Sequence, residues 1–410
     1  MARRTMIGGL ATLAMAAGGS VAGTAGAASP ADEGAPIKTM MDAYREARPE
    51  ITPAAARAAA EQADERKVVT STISIRYAKM FGGAWFDAPA GVLHLALTSA
   101  EATDRARTLA REQRVRIRTH SVERSLVVLQ RQADKIRRGD GPLSEASNGQ
   151  VGIDIKTNRV VVAVPEDQVE RLRPGGRRAG VTVVADPEHE VEADACSGRD
   201  VCDGSIAAGA MLWRGSVGSF VCSAGFTAED PFVLTRFLYT AGHCSNGNGV
   251  DWGTGVEDIG PMVGSLDLND IDASIIQVTN PLFTGQPGGR LYNTDDVDAV
   301  APTLGSIVID DVVCKAANFQ DPTGSRFCGT IGSISDPAVR GMVRVDNEDA
   351  CSGDSGGTWY ELVGNTRTGY GIHSRSDTGC RGDAGGTQSW FSALPTVKAG
   401  LAPGYNVETR

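Results

Sequence analysis

A small α/β domain followed by an all-β domain of sandwich or barrel-pair type is the architecture this sequence predicts, on three observations. Its 410 residues exceed one typical domain. All eight cysteines (Cys196, Cys202, Cys222, Cys244, Cys314, Cys328, Cys351 and Cys380) fall after residue 195. Near the same point an Arg/Glu/Ala-rich texture gives way to short β-rich runs broken by Gly, Asn, Asp and Pro.

The chain opens Met1-Ala2-Arg3-Arg4, runs through a short apolar stretch and reaches the small residues Ala25-Gly26-Ala27-Ala28. That pattern predicts a secretory signal peptide over residues 1–28 and an extracellular protein. The apolar run is too short and glycine-broken for a membrane span, so no span is expected in the mature form. Export makes an even cysteine count read as four disulfides. No short Cys/His ligand cluster appears, so no metal is expected.

Residues 29–190 form the first predicted domain. Helical patterning covers 40–67, interrupted near Pro49 and Pro53. Thr98-Ser99-Ala100-Glu101 reads as a capping box opening a second helix, and Val122, Leu126 and Leu129 as one face of a third. Strands are expected at 69–77, 92–98, 151–155 and 160–164, the last two joined by a turn at Thr157-Asn158. The run 173–178, containing Pro174-Gly175-Gly176, reads as a surface turn, and the boundary with the next domain is placed between Asp186 and Cys196.

Residues 191–410 form the second. Strands are expected at 218–226, 232–240, 273–278, 306–314, 358–362 and 370–374. From residue 190 onward there are 13 Lys/Arg against 28 Asp/Glu, about −15; the rest holds 27 against 22, about +5. An acidic domain is unsuited to nucleic acid, whose phosphates require a basic face.

The sharpest chemical signal is Cys351-Ser352-Gly353-Asp354-Ser355-Gly356-Gly357. A nucleophilic serine needs room for a carbonyl, which glycines provide, and backbone N–H groups aimed at the developing oxyanion, here those of Gly353 and Ser355. The run also satisfies the nucleophile elbow of α/β-hydrolases. That fold requires serine, acid, then histidine along the chain, whereas only His373 follows Ser355. Upstream, Phe237-Leu238-Tyr239-Thr240-Ala241-Gly242-His243-Cys244 places a histidine at the end of an apolar strand, pinned by a cysteine whose natural partner is Cys222. His243 suits a general base held in one orientation. For the orienting carboxylate, Asp270 and Asp272 both precede Ile275-Ile276; Asp272, nearest the apolar run, is the choice.

Thr240-Ala241-Gly242-His243-Cys244, Asp272-Ala273-Ser274-Ile275-Ile276 and Gly353-Asp354-Ser355-Gly356-Gly357, in this order, resemble the chymotrypsin-like serine peptidases, and within them the secreted bacterial streptogrisin and alpha-lytic protease group. The resemblance implies a double antiparallel β-barrel with His243, Asp272 and Ser355 between the barrels, no cofactor, a protein or peptide substrate and a monomeric enzyme. It pairs Cys222 with Cys244, Cys314 with Cys328 and Cys351 with Cys380, leaving Cys196 and Cys202 to each other. Phe81-Gly82-Gly83-Ala84-Trp85-Phe86-Asp87 and Gly91-Val92-Leu93-His94-Leu95 are similar to that group's pro-region, which implies a folding assistant and inhibitor removed later.

The resemblance also gives Asp354 a basic partner, here Lys315, with a new N-terminus at Ile206 as the competing source of charge. Asp349, six residues before Ser355, resembles a pocket floor selecting Arg or Lys; within the acidic run Asp346-Asn347-Glu348-Asp349 it reads equally as a surface aspartate. The substrate-pairing strand is expected at 370–374, with Ser374 behind the triad. Arg375 and Ser376 follow where the family commonly has an aromatic or glycine. His373 is read as pocket wall or surface.

Overall fold

The structure, a computed structural model, describes residues 35–140, 143, 150–185, 191–193, 206–214, 221–245, 251–254, 257–284, 288–291, 296–317, 327–347, 350–351, 353–364, 366–377 and 388–410. The predicted signal peptide and Cys196, Cys202, Asp349 and Cys380 lie outside these. Among the described residues no helix is long and apolar enough to cross a membrane.

The N-terminal part is α/β. It comprises α1 (Ala35–Ala47), α2 (Pro53–Glu61), α3 (Ala63–Arg76), β1 (Phe81–Asp87), β2 (Val92–Leu97), α4 (Ala100–Glu112), β3 (Ile117–Ser121), α5 (Leu126–Arg137), β4 (Gln150–Asp154), β5 (Arg159–Val164), α6 (Glu166–Ala179) and β6 (Val181–Ala185). Two three-stranded sheets, β1-β2-β3 and β4-β5-β6, each join an antiparallel pair to a parallel one.

Four expectations need correcting here. Residues 69–77, read as a strand from their β-branched content, lie largely in α3, because Arg66, Val69, Thr70, Ile73 and Ser74 recur at helical spacing and bury one face. Residues 173–178 belong to α6, not a turn: Val169, Leu172 and Gly176 form its buried stripe despite Pro174. The cap of α4 is Ser99, whose hydroxyl accepts the Ala102 N–H at 3.2 Å, one residue later than the box predicts. Val122 precedes α5 while Leu126 and Leu129 lie in its buried face.

The C-terminal part begins with β7 (Val191–Ala193), followed by β8 (Met211–Arg214), β9 (Val221–Ser223), β10 (Thr227–Glu229), β11 (Arg236–Thr240), β12 (Asp251–Gly253), β13 (Asp258–Leu268), β14 (Ile271–Gln277) and the short α7 (Pro281–Thr284). Then come β15 (Ala299–Val300), β16 (Val312–Ala316), β17 (Phe327–Asp336), β18 (Met342–Asp346), β19 (Thr358–Val363), β20 (Thr366–Asp377), β21 (Gln388–Ala393), α8 (Leu394–Gly400) and β22 (Asn406–Val407).

Both large sheets close on themselves. In the first, β11-β14-β13-β12-β8-β9 are successive neighbours, and residues 221–229 pair with β8 at one end and β11 at the other. The Gly225 N–H reaches Tyr239 O and the Tyr239 N–H reaches Phe226 O at that junction. In the second, β20-β19-β16-β17-β18-β21 are neighbours and β21 returns to β20. The result is the all-β double antiparallel barrel that the sequence predicts. Closure removes exposed sheet edges.

Within it, residues 232–234 are an exposed hairpin tip and not strand; the strand starts only at Arg236. The predicted strand over 306–314 is confined to β16, after a 3₁₀ turn at Leu304–Ser306.

The two parts share one apolar core. The Phe86 N–H donates to Ile309 O (2.8 Å), and β4 approaches the 335–337 segment closely enough that any β-carbon at Gly152 would strike Ser335 O and Pro337.

Candidate active site

His243 follows the end of β11, Asp272 lies in β14 beside it, and Ser355 stands on the loop between β18 and β19. The first two thus come from one barrel and the serine from the other. The three side chains form a continuous hydrogen-bonded line. His243 Nδ1 is 2.7 Å from Asp272 Oδ2, and His243 Nε2 is 2.8 Å from Ser355 Oγ. The carboxylate can only accept from Nδ1, which leaves Nε2 as the acceptor for the serine hydroxyl.

Asp272 is fully buried and held from four directions. Its Oδ1 accepts the His243 backbone N–H at 2.7 Å, its Oδ2 also accepts from Ser374 Oγ–H, and its own N–H donates to Ser392 Oγ at 2.7 Å. Burial alone would raise its carboxyl, but the charge and hydrogen bond of His243, with the Ser374 hydroxyl, outweigh that and hold it at about 2. Asp270, the alternative carboxylate, lies in the β13–β14 turn with Arg137 4.0 Å away and does not enter the line.

The serine loop depends on glycines. Gly353 and Gly356 have φ of +98° and +90°, the region that favours glycine. A β-carbon on Gly356 would collide with Thr240 Oγ1 and Ser223 O, so only glycine lets the loop settle against the first barrel. Ser223 ties the two together: its Oγ–H donates to Gly353 O (2.6 Å) and its N–H to Ser355 O (2.7 Å). Neither Ser223 nor Ser392 carries a sequence signal, because each acts across more than a hundred residues of chain.

Lys315 and Asp354 meet as the resemblance implies. Nζ lies 2.7 Å from Oδ2, with both side chains shut off from solvent. Burial works against ionisation of Asp354, and the Lys315 charge outweighs it, holding the carboxyl below its usual range. The Asp354 carboxylate also accepts the Cys351 N–H at 3.0 Å, bracing the loop.

Two of the implied disulfides, Cys222–Cys244 and Cys314–Cys328, are present, and Cys351 is disulfide-bonded.

Ser374 and Ser376 are buried on β20. His373, read from sequence as pocket wall or surface, is not at the surface. It is fully buried, its Nδ1 accepting from Trp359 Nε1–H at 3.2 Å, because the β19–β20 pairing folds both inward. The strand expected at 370–374 as the substrate-pairing edge has both sides occupied at 371–372, by β19 and β21; further on, Arg375 and Ser376 pair on one side with β21, and 375–377 pair on the other with β7, in the register Arg375↔Ala193, Ser376↔Glu192, Asp377↔Val191.

No protein-family model matches this chain, and no curated protein does. Several solved structures are similar. One, described as a glutamic-acid-specific serine protease that uses a histidine triad in substrate binding, is 26% identical over 49% of this chain and 100% of its own, with a TM-score of 0.38. An alpha-lytic protease homolog, N4, is 23% identical over 48% of this chain and 97% of its own, TM-score 0.35. The Rv3671c protease in an inactive form is 14% identical over 50% of this chain and 95% of its own, TM-score 0.26.

Proposed function

We propose that this chain is a secreted serine endopeptidase, made as a pro-enzyme over residues 29–190 and 191–410. It would hydrolyse peptide bonds through Ser355, His243 and Asp272. The observation that carries this reading is the unbroken line from Ser355 Oγ to His243 Nε2 and from His243 Nδ1 to a buried carboxylate. In that line His243 takes the serine proton as Ser355 attacks the carbonyl and returns it to the departing amine, while Asp272 offsets the imidazolium charge. The Gly353 and Ser355 N–H groups would hold the oxyanion, and water would then release the acyl group.

The pro-enzyme reading is supported by β7. A strand of the chain itself lies antiparallel on the edge beside Ser374. An extended peptide added to a sheet edge is how a protease holds substrate, so this stretch would block the cleft until cut or displaced.

Two readings of selectivity compete at the cut. Asp349 would select Arg or Lys after which to cleave. Against it, Asp349 reads equally as a surface carboxylate of the acidic run 346–349, with no part in the pocket.

Digestion of a denatured protein by the secreted product of the full chain, beside Ser355→Ala, tests all of this, with product ends read by mass spectrometry. Cuts that vanish in the variant support the endopeptidase, and ends clustered after Arg or Lys support Asp349 as the pocket floor. A correctly processed protein that makes no cuts would instead be a binding protein on the same fold.

A further inference from the structure

We propose that Arg375 selects substrates carrying an acidic side chain at the second residue before the cleaved bond. This rests on the endopeptidase reading and gives that site a substrate class.

Arg375 directly follows Ser374, the residue whose hydroxyl donates to Asp272. One edge of the backbone at 375–376 is taken by β21, so an incoming extended chain has the opposite edge, where Val191–Ala193 lies. Because that pairing is antiparallel, a chain bound there advances toward Ser374 and the triad as it runs toward its C-terminus. The residue opposite Arg375 is therefore one step back from the residue opposite Ser374; the Gly356 N–H donates to His373 O at 2.9 Å, so this part of β20 lies against the serine loop, and the residue opposite Ser374 is taken as the one that Ser355 attacks. Directly opposed residues in an antiparallel pair have β-carbons ~4.5–5.5 Å apart, within reach of a long charged side chain.

Arg375 has no acid to itself. Its Nη2 is 3.2 Å from Asp267 Oδ1, and the same oxygen receives Arg340 Nη2 at 2.6 Å. Two guanidinium groups share one carboxylate, and the Nε–H of each is buried without a hydrogen-bond partner. Among the described residues, Asp272 is bonded to His243 and Ser374 and feels the Arg375 charge from a distance, and Asp377 accepts the Gln388 N–H.

A guanidinium whose direct ion pair is shared thus stands beside the proposed substrate edge. At 22% exposure it is partly sheltered from the solvent that screens surface charges. A planar guanidinium matches a carboxylate, and a Glu or Asp across from it would meet the partly exposed face of the group as a second acid. The chain's own strand places Ala193 at that position, and an acidic residue there would add an attraction that alanine lacks.

The test uses the enzyme secreted from the full chain and peptides identical except for Glu, Gln or Lys at this position, the residue at the cut being taken from the measured product ends. The expected order of kcat/KM is Glu, Gln, Lys, spanning about tenfold, or about 1.4 kcal/mol. Arg375→Gln should level the three, and Arg375→Glu should reverse the order, which a merely damaged cleft would not do. Equal rates on all three peptides with wild type, each abolished by Ser355→Ala, would leave proteolysis standing and overturn the role of Arg375. So would an order that survives Arg375→Gln. Absence of any Ser355-dependent cleavage would defeat the endopeptidase reading itself.

Discussion

Lys315 Nζ sits 2.7 Å from Asp354 Oδ2 with both side chains out of contact with water, one residue from the serine. Removing one partner of such a pair leaves a buried uncompensated charge, at about 3–5 kcal/mol. Lys315→Met should therefore lower unfolding stability by that order in chemical denaturation. The double variant Lys315→Met with Asp354→Asn should recover part of the loss. A Lys315→Met protein as stable as wild type would mean that Asp354 is protonated in the folded state.

Asp272 and Ser374 should separate by size of effect. Asp272→Asn keeps the shape but disturbs the histidine tautomer, and kcat should fall by about 10⁴. Ser374→Ala removes one hydrogen bond to a charged group and should reduce kcat by about tenfold, with KM little changed. Steady-state kinetics at neutral pH check both. Equal losses would mean that Ser374 does more than steady the carboxylate.

The bridge between Cys222 and Cys244 spans 22 residues and anchors His243 from the adjoining position. Loop-closure entropy places its contribution at about 3 kcal/mol. A Cys222→Ser, Cys244→Ser double variant should unfold at correspondingly lower denaturant. Its remaining folded fraction should show reduced kcat, because His243 loses its tether.

Two basic residues of α3 meet two buried acids of the second barrel. Lys67 pairs with Glu361 and donates to Thr368 Oγ1 (2.6 Å), while Arg66 lies 3.9 Å from Asp311. Burial raises the Asp311 carboxyl, Arg66 and Lys67 oppose this, and Glu361 and Asp310 add to it, leaving it at about 7. A carboxyl raised by folding contributes stability that is complete below its unfolded value of ~3.9 and is lost as pH rises through 7. Full-length Ser355→Ala protein should thus lose stability to urea between about pH 4 and pH 7. Adding Asp311→Asn should flatten that slope; parallel slopes would mean that Asp311 is ionised throughout. Asp272 and Asp354, both lowered, act in the opposite sense and only below about pH 4.

The sequence by itself determined the parts whose signal is contiguous. The glycine-rich run around Ser355, the strand ending in His243 and the β-rich texture after residue 195 depend on neighbours a few positions apart, so they are readable in one dimension. The α/β character of the first part was legible for the same reason, although 69–77 and 173–178 misled. There the local preference for strand or turn gave way to a helical face that a partner surface could bury. Only the tertiary structure decided which carboxylate turns inward at 270 or 272, that Ser392 and Ser223 brace the site from 120 and 130 residues away, that His373 is sealed against Trp359, and that Arg375 shares Asp267 with Arg340. Those outcomes rest on strand register and barrel closure. A one-residue shift of register turns every side chain to the other face, and no local pattern carries that choice.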